Sequence, residues 1–206
     1  MIDQNVLILV WLPLTSAVAI NLIRRNTSFV RTFCMLMLTT YVCALVAVTL
    51  FPIPFQAELL DLRRSEQVIF NNYYPFRTIS DVLAHGDTRV LLLQLGGNLF
   101  LLIPLALLLP ILYKRFRSFK STVIVAAAIS LSIESLQYAI SAVLGFTYKV
   151  TDVDDLIINV FGAMIGYGVY AALACFARIR VGDPRPSQRS GMVKALHHIF
   201  AELGAD

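Results

Sequence analysis

Five apolar runs, each about as long as a bilayer is thick, decide what this chain can fold into. They cover residues 6–23, 33–51, 90–112, 122–144 and 155–177. At the rise of an α-helix, about 20 apolar residues cross a hydrocarbon core roughly 30 Å thick. Inside lipid every backbone donor and acceptor must be satisfied within the protein, and a helix does this for each run by itself. Composition points the same way. Of 206 residues, 58% are hydrophobic and only 15% charged, where soluble domains carry about 25% charged. The expected fold is an all-α, polytopic membrane helical bundle of five transmembrane helices over residues 1–180, followed by a tail over 181–206.

Lysine and arginine set the expected orientation. Arg24, Arg25 and Arg31 fall in the first connection, Lys114, Arg115, Arg117 and Lys120 in the third, and Arg178, Arg180, Arg185, Arg189 and Lys194 in the tail. The alternate connections hold Arg63, Arg64, Arg77 and Arg89, then Lys149. The basic-rich side faces the cytoplasm, so the N-terminus is expected outside and the C-terminus inside a bacterial cytoplasmic membrane. The net charge of +4 then reflects loops near anionic headgroups, and no nucleic-acid partner is implied. The first five residues carry no basic side chain, so no cleavable signal peptide is expected. Cys34, Cys43 and Cys175 lie in or beside spans and read as free thiols. In the tail, Met192, Leu196, Ile199, Phe200 and Leu203 share one helix face, as for an amphipathic helix on the inner leaflet. His197 and His198 are adjacent and do not share a face, so they make no metal pair.

The longest connection, residues 52–88, is not a plain linker. Residues 57–70 mix apolar and charged side chains as a surface-lying helix would. Asn72-Tyr-Tyr-Pro75-Phe76-Arg77-Thr78-Ile79 follows, and Ser80 reads as the N-cap of a short helix. The aromatic cluster suits either an interfacial belt or a re-entrant lid over a site.

A polar seam runs through three of the spans. On the fourth, Ser130, Glu134, Gln137 and Ser141 fall within about 60° of one another, and on the fifth Asp155, Asn159, Gly162 and Gly166 do the same. The third carries Gln94 and Asn98 one turn apart, then Pro104, which frees the Phe100 carbonyl and kinks the helix. By helix rise, Asn98 and Glu134 lie roughly 15 Å below the outer ends of their spans, with Gln137 and Asn159 higher. A charged side chain at a span centre costs about 2.5–3.5 kcal/mol on insertion scales, whereas interhelical polar bonds average about 0.6 kcal/mol. Glu134 therefore reads as functional: a proton donor, or a carboxylate held by Arg77 or Lys149. Asp152, Asp154 and Asp155 at the mouth of the fifth span fit a helix start, a ligand contact or a cation site. Gly162 and Gly166 form a small-xxx-small pattern for close helix packing.

Four pieces in order carry a resemblance. They are Asn72-x-x-Pro75-Phe76-x-Thr78-Ile79, Gly97-Asn98 through Pro104-Leu-Ala, Glu134-x-x-Gln137, and Asp152-x-Asp154-Asp155-x-x-x-Asn159-x-x-Gly162-Ala-x-x-Gly166-Tyr167. Over about residues 72–170 the chain resembles the VanZ-like family. Members usually carry an arginine shortly before the aspartates, where this chain has Lys149; a lysine keeps the charge and loses the bidentate fork. The family takes its name from a protein conferring low-level resistance to teicoplanin, so the resemblance implies an envelope-associated membrane protein.

Together these features lead to an expected outward-facing polar pocket that engages an amphiphile, either a lipid-linked envelope precursor or a lipoglycopeptide. Asn98, Glu134, Gln137 and Asn159 would meet its polar junction, with Asp152, Asp154, Asp155, Arg77 and Lys149 at the rim. Two alternatives stand beside it. One is an intramembrane enzyme with Glu134 as acid or base. The other is a structural partner subunit assembled through Gly162 and Gly166. No cofactor is implied, and no HExxH, GxSxG, Walker or Cys/His motif occurs.

Overall fold

The computed structural model describes residues 4–54, 56, 60, 61, 71–86 and 88–181. The expected surface helix over 57–70 falls almost wholly, and the tail over 182–206 entirely, outside the described residues. Among those described, the regular elements are all helical. They are α1 (Ile8–Arg24), α2 (Phe29–Leu50), α3 (Arg77–His85), α4 (Thr88–Leu112), α5 (Phe119–Leu144) and α6 (Val153–Val181). All but the short α3 contain a stretch long and apolar enough to cross a membrane, which is the five-span, all-helical architecture expected from the sequence.

Local chemistry sets the helix ends. The Ser28 and Ser118 hydroxyls accept from the amides of Arg31 and Ser121 and so start α2 and α5. Gly145, at φ 76°, stops α5 in the left-handed conformation and returns its amide to the Ser141 carbonyl. α4 is irregular. Leu91–Gly96 are wound as a π-helix, and the helix breaks at Leu102 before resuming at Ile103 with Pro104 in its first turn. The sequence placed the free carbonyl at Phe100; the carbonyl found with a partner from another helix is that of Leu101, which accepts from the Tyr41 hydroxyl of α2 at 2.5 Å.

The core lies where α4, α5 and α6 meet, with Leu102, Leu105, Ala106, Leu109, Ala126 and Ala163 buried against one another. α1 sits at the edge, packed on α2, where Trp11 Nε1 donates to Thr40 Oγ1 at 3.1 Å. The α4–α6 contact is the closest. A Cβ at Gly162 would lie 1.9 Å from the Leu99 carbonyl oxygen, and one at Gly166 2.4 Å from that of Ile103. Neither leaves room for a methyl group, and the obstacle in both cases is backbone.

Gly162→Ala must therefore push α4 and α6 apart, with an expected loss of about 1–3 kcal/mol from overpacking. Gly168, on the same helix, has nothing within 4 Å of its Cβ position. There alanine should stabilise by up to about 1 kcal/mol through helix propensity. Thermal unfolding of the two variants in detergent checks the opposite signs.

Candidate functional site

The polar seam gathers at the end of the bundle where α2 and α5 finish and α6 begins. Asn72 and Asp152 form an isolated parallel bridge: the Asn72 amide donates to the Thr151 carbonyl and the Val153 amide to the Asn72 carbonyl, both at 3.0 Å. This brings the residues before α3 onto the loop before α6, and the three aspartates then divide between elements. Asp152 caps its own helix by accepting from the Asp154 amide at 2.8 Å. It also accepts from Asn72 Nδ2 at 2.8 Å and from the Thr78 hydroxyl. Asp154, fully buried, accepts from the amides of Phe76 and Ile79 and so caps α3 from about 75 residues away. Asp155 takes a side-chain hydrogen bond from Asn98 of α4.

α3 consequently starts earlier than the sequence suggested. Its N-cap position is Phe76, held at φ 67°, a left-handed conformation costing a non-glycine residue about 1–3 kcal/mol. Ser80 lies inside the helix and bonds back to the Arg77 carbonyl. A carboxylate supplied from another element replaces the local cap.

Glu134, 7% exposed, finds neither cation proposed for it. Its Oε2 accepts from the Asp152 amide at 3.1 Å. Lys149 instead places its Nζ 3.0 Å from the Val48 carbonyl and 2.6 Å from that of Thr49, completing the C-terminal turn of α2, where the helix dipole favours a cation. Burial pushes the Lys149 ammonium below its ordinary value. Gln137 Nε2 donates to the same Thr49 carbonyl at 2.9 Å, and the Tyr148 hydroxyl to Leu50 at 2.6 Å. The end of α2 is thus level with Gln137, so α5 projects about 10 Å beyond its neighbour. Glu134 lies about a turn inside that level rather than deep in the bundle. Asn159 is deeper than expected. It donates to Ser130 Oγ at 3.0 Å, a turn below Glu134, while its own Oδ1 is buried with no hydrogen-bond partner.

Residues from all four sequence pieces meet here, and a comparison of sequences covers the whole of them. The sequence model of VanZ/LLP1 matches residues 38–175. The chain belongs to the VanZ/LLP1 family. No curated protein and no solved structure matches it. The VanZ/LLP1 region begins at Leu38 and so takes in the C-terminal part of α2, which supplies Tyr41, Leu45 and the Thr49 carbonyl to the bundle. It leaves out α1, the helix that packs only at the edge.

Three openings surround the VanZ/LLP1 network. A polar cavity of about 230 Å³ is lined by Asn72, Arg77, Thr78, Gln94, Asp152 and Asp155. A second, of about 290 Å³, is lined by Tyr73, Leu131, Glu134, Ser135, Tyr138 and Thr151. An apolar groove of about 510 Å³ runs between α5 and α6, past Ala127, Ala128 and Leu131 on one side and Leu156, Val160 and Met164 on the other. Leu131 belongs to both the second cavity and the groove. Gln137 and Asp154 line none of the three; the Gln137 amide nitrogen and the Asp154 carboxylate hold backbone instead. Among the described residues no group of three or more His, Cys, Asp or Glu is arranged to hold a metal ion.

Tyr73, Tyr138 and Thr151 were absent from the expected site. Tyr138 lies one turn beyond Glu134, and helical spacing had that signal to offer. Tyr73 and Thr151 arrive through the bridge, which no periodicity announces. Asp154→Ala should leave the Phe76 and Ile79 amides without their acceptor, costing about 1–3 kcal/mol and undocking α3. The readout is faster proteolysis or hydrogen exchange within residues 72–85 at a temperature where the five spans stay folded.

Proposed function

We propose that this VanZ/LLP1 protein sits in the bacterial cytoplasmic membrane with the Glu134 end outward, and engages an amphiphile from the outer leaflet. The amphiphile is a lipid-linked envelope precursor or a lipoglycopeptide such as teicoplanin, and the outcome is glycopeptide resistance or envelope homeostasis. One observation carries the reading: a cavity lined by a buried carboxylate and an apolar groove lie side by side, with Leu131 lining both. A molecule with a polar head and an acyl chain fits both halves at once. The asymmetry of lysine and arginine supports the outward orientation. Family membership supports the link to the envelope.

Of the residues expected to meet the ligand, Glu134, Asp152, Asp155, Arg77 and Asn98 stay in this role, Asn98 through its bond to Asp155. Gln137, Lys149 and Asp154 act by holding α2 and α3 in place, and Asn159 supports Ser130. The partner-subunit alternative loses its motive, because Gly162 and Gly166 are used inside the chain against Leu99 and Ile103.

The test compares cells expressing the wild-type chain with cells expressing Leu131→Trp, which enlarges an exposed side chain that lines both cavity and groove, and Glu134→Gln. Both variants should lose whatever protection against teicoplanin the wild type gives, at equal expression in the membrane. Unchanged protection in both, together with an unchanged thermal shift on adding the glycopeptide, would sink the proposal.

A further inference from the structure

Resting on the reading of an amphiphile with a polar head and an acyl chain, though not on the two ligand classes named for it, the chemistry of the Glu134 cavity points to a head group. We infer that it takes the primary ammonium of a membrane lipid, with the lipid's acyl chain in the α5–α6 groove.

Glu134 is 93% buried by its 7% exposure, and its bonded partner is the neutral amide of Asp152. The charged side chain bearing on it is Asp152, another carboxylate, and Asp155 stands among Glu134, Asp152 and Asp154. Among the described residues, Lys149 closes the end of α2, and Arg77 lines the other cavity with Asp152 and Asp155, so neither bonds Glu134. An anionic head entering here would face like charge at short range, which discriminates against it. A cation is attracted.

The walls add a second selection. Tyr73 and Tyr138, each more than half exposed, line the cavity beside Glu134. A carboxylate flanked by aromatic rings attracts an ammonium through both full charge and the ring quadrupole. The carboxylate also distinguishes a primary ammonium from a quaternary one. Glu134 accepts from N–H donors, which a trimethylated head does not possess.

The groove supplies the tail and the depth. Leu156 and Met164 mark about 12 Å of it along α6 at helical rise, with apolar side chains throughout. Its upper end meets Leu131, a turn below Glu134. Glu134 in turn lies about one turn inside the level where α2 ends, so a lipid head reaches it from the interface with its chain still in the apolar layer.

Phosphatidylethanolamine and phosphatidylglycerol with identical acyl chains differ in this one chemistry. Purified full-length protein is offered both at equal concentration, and bound lipid is counted by native mass spectrometry. The wild type should retain phosphatidylethanolamine about tenfold over phosphatidylglycerol, with phosphatidylcholine in between. Glu134→Gln should bring the first two to near equality. Tyr138→Leu should weaken the preference and Tyr138→Phe preserve it; Tyr138 is half exposed, so these variants put no core packing at risk. Leu131→Trp should lose both lipids. Equal retention of the two lipids by the wild type, with both lost in Leu131→Trp, overturns the head-group assignment and leaves the amphiphile reading standing. Preference unchanged by Glu134→Gln and Tyr138→Leu also overturns it. Retention of no lipid, or retention indifferent to Leu131→Trp, removes the amphiphile reading itself.

Discussion

Two carboxylates two residues apart hold this end of the bundle together by accepting backbone and side-chain donors from a distant segment. Asp152 and Asp154 between them receive three amide hydrogens, a carboxamide and a hydroxyl. An amide left unpaired near the apolar layer costs several kilocalories per mole, because no water is there to replace the partner. The irregular stretch around Asn72–Phe76 can lie against the spans only because these acceptors are present. Both polar cavities are lined by residues of this bridge or the loops it joins, so their shapes depend on it. The two amide hydrogen bonds that Asp154 accepts from Phe76 and Ile79 offset the left-handed backbone at Phe76.

A second set of contacts uses the opposite pole. The last carbonyls of α2 would be bare at the end of a helix, and Thr49 receives both Gln137 and Lys149 while Leu50 receives Tyr148. The polar residues of this seam therefore fall into two groups by what they satisfy. Gln137, Lys149 and Asp154 complete backbone. Glu134 and Asp155 line open space. In Asp155 one carboxylate oxygen is buried without a hydrogen-bond partner, so the bundle does not use its full accepting capacity.

The fold was legible because apolar length and helical period are local properties. Five spans follow from counting residues, and the three polar stripes follow from 100° per residue. Pairing was not local. Asn72 meets Asp152 across 80 positions through a bridge in otherwise helical protein, and no periodic signal marks it. Ser80 looked like a cap since capping is read from the neighbouring residues, whereas the acceptor came from Asp154. Lys149 looked like a counter-ion for Glu134 from charge alone; the competing demand of α2's terminal carbonyls decided otherwise. Glu134 looked central because its depth was measured along its own helix. Its depth in the bundle is set by where α2 stops.

The reach of Asp154 also orders assembly in time. α3 depends for its cap on a residue made about 75 positions later, at the start of the final span. While the ribosome is still synthesising α4 and α5, the Phe76 and Ile79 amides have no permanent acceptor and must stay with water. The segment before α3 can settle on the bundle only after α6 has entered the membrane. Entry of α6 thus closes a site to which residues 71–78 and 131–155 both contribute, and an insertion defect in α6 would be felt there first.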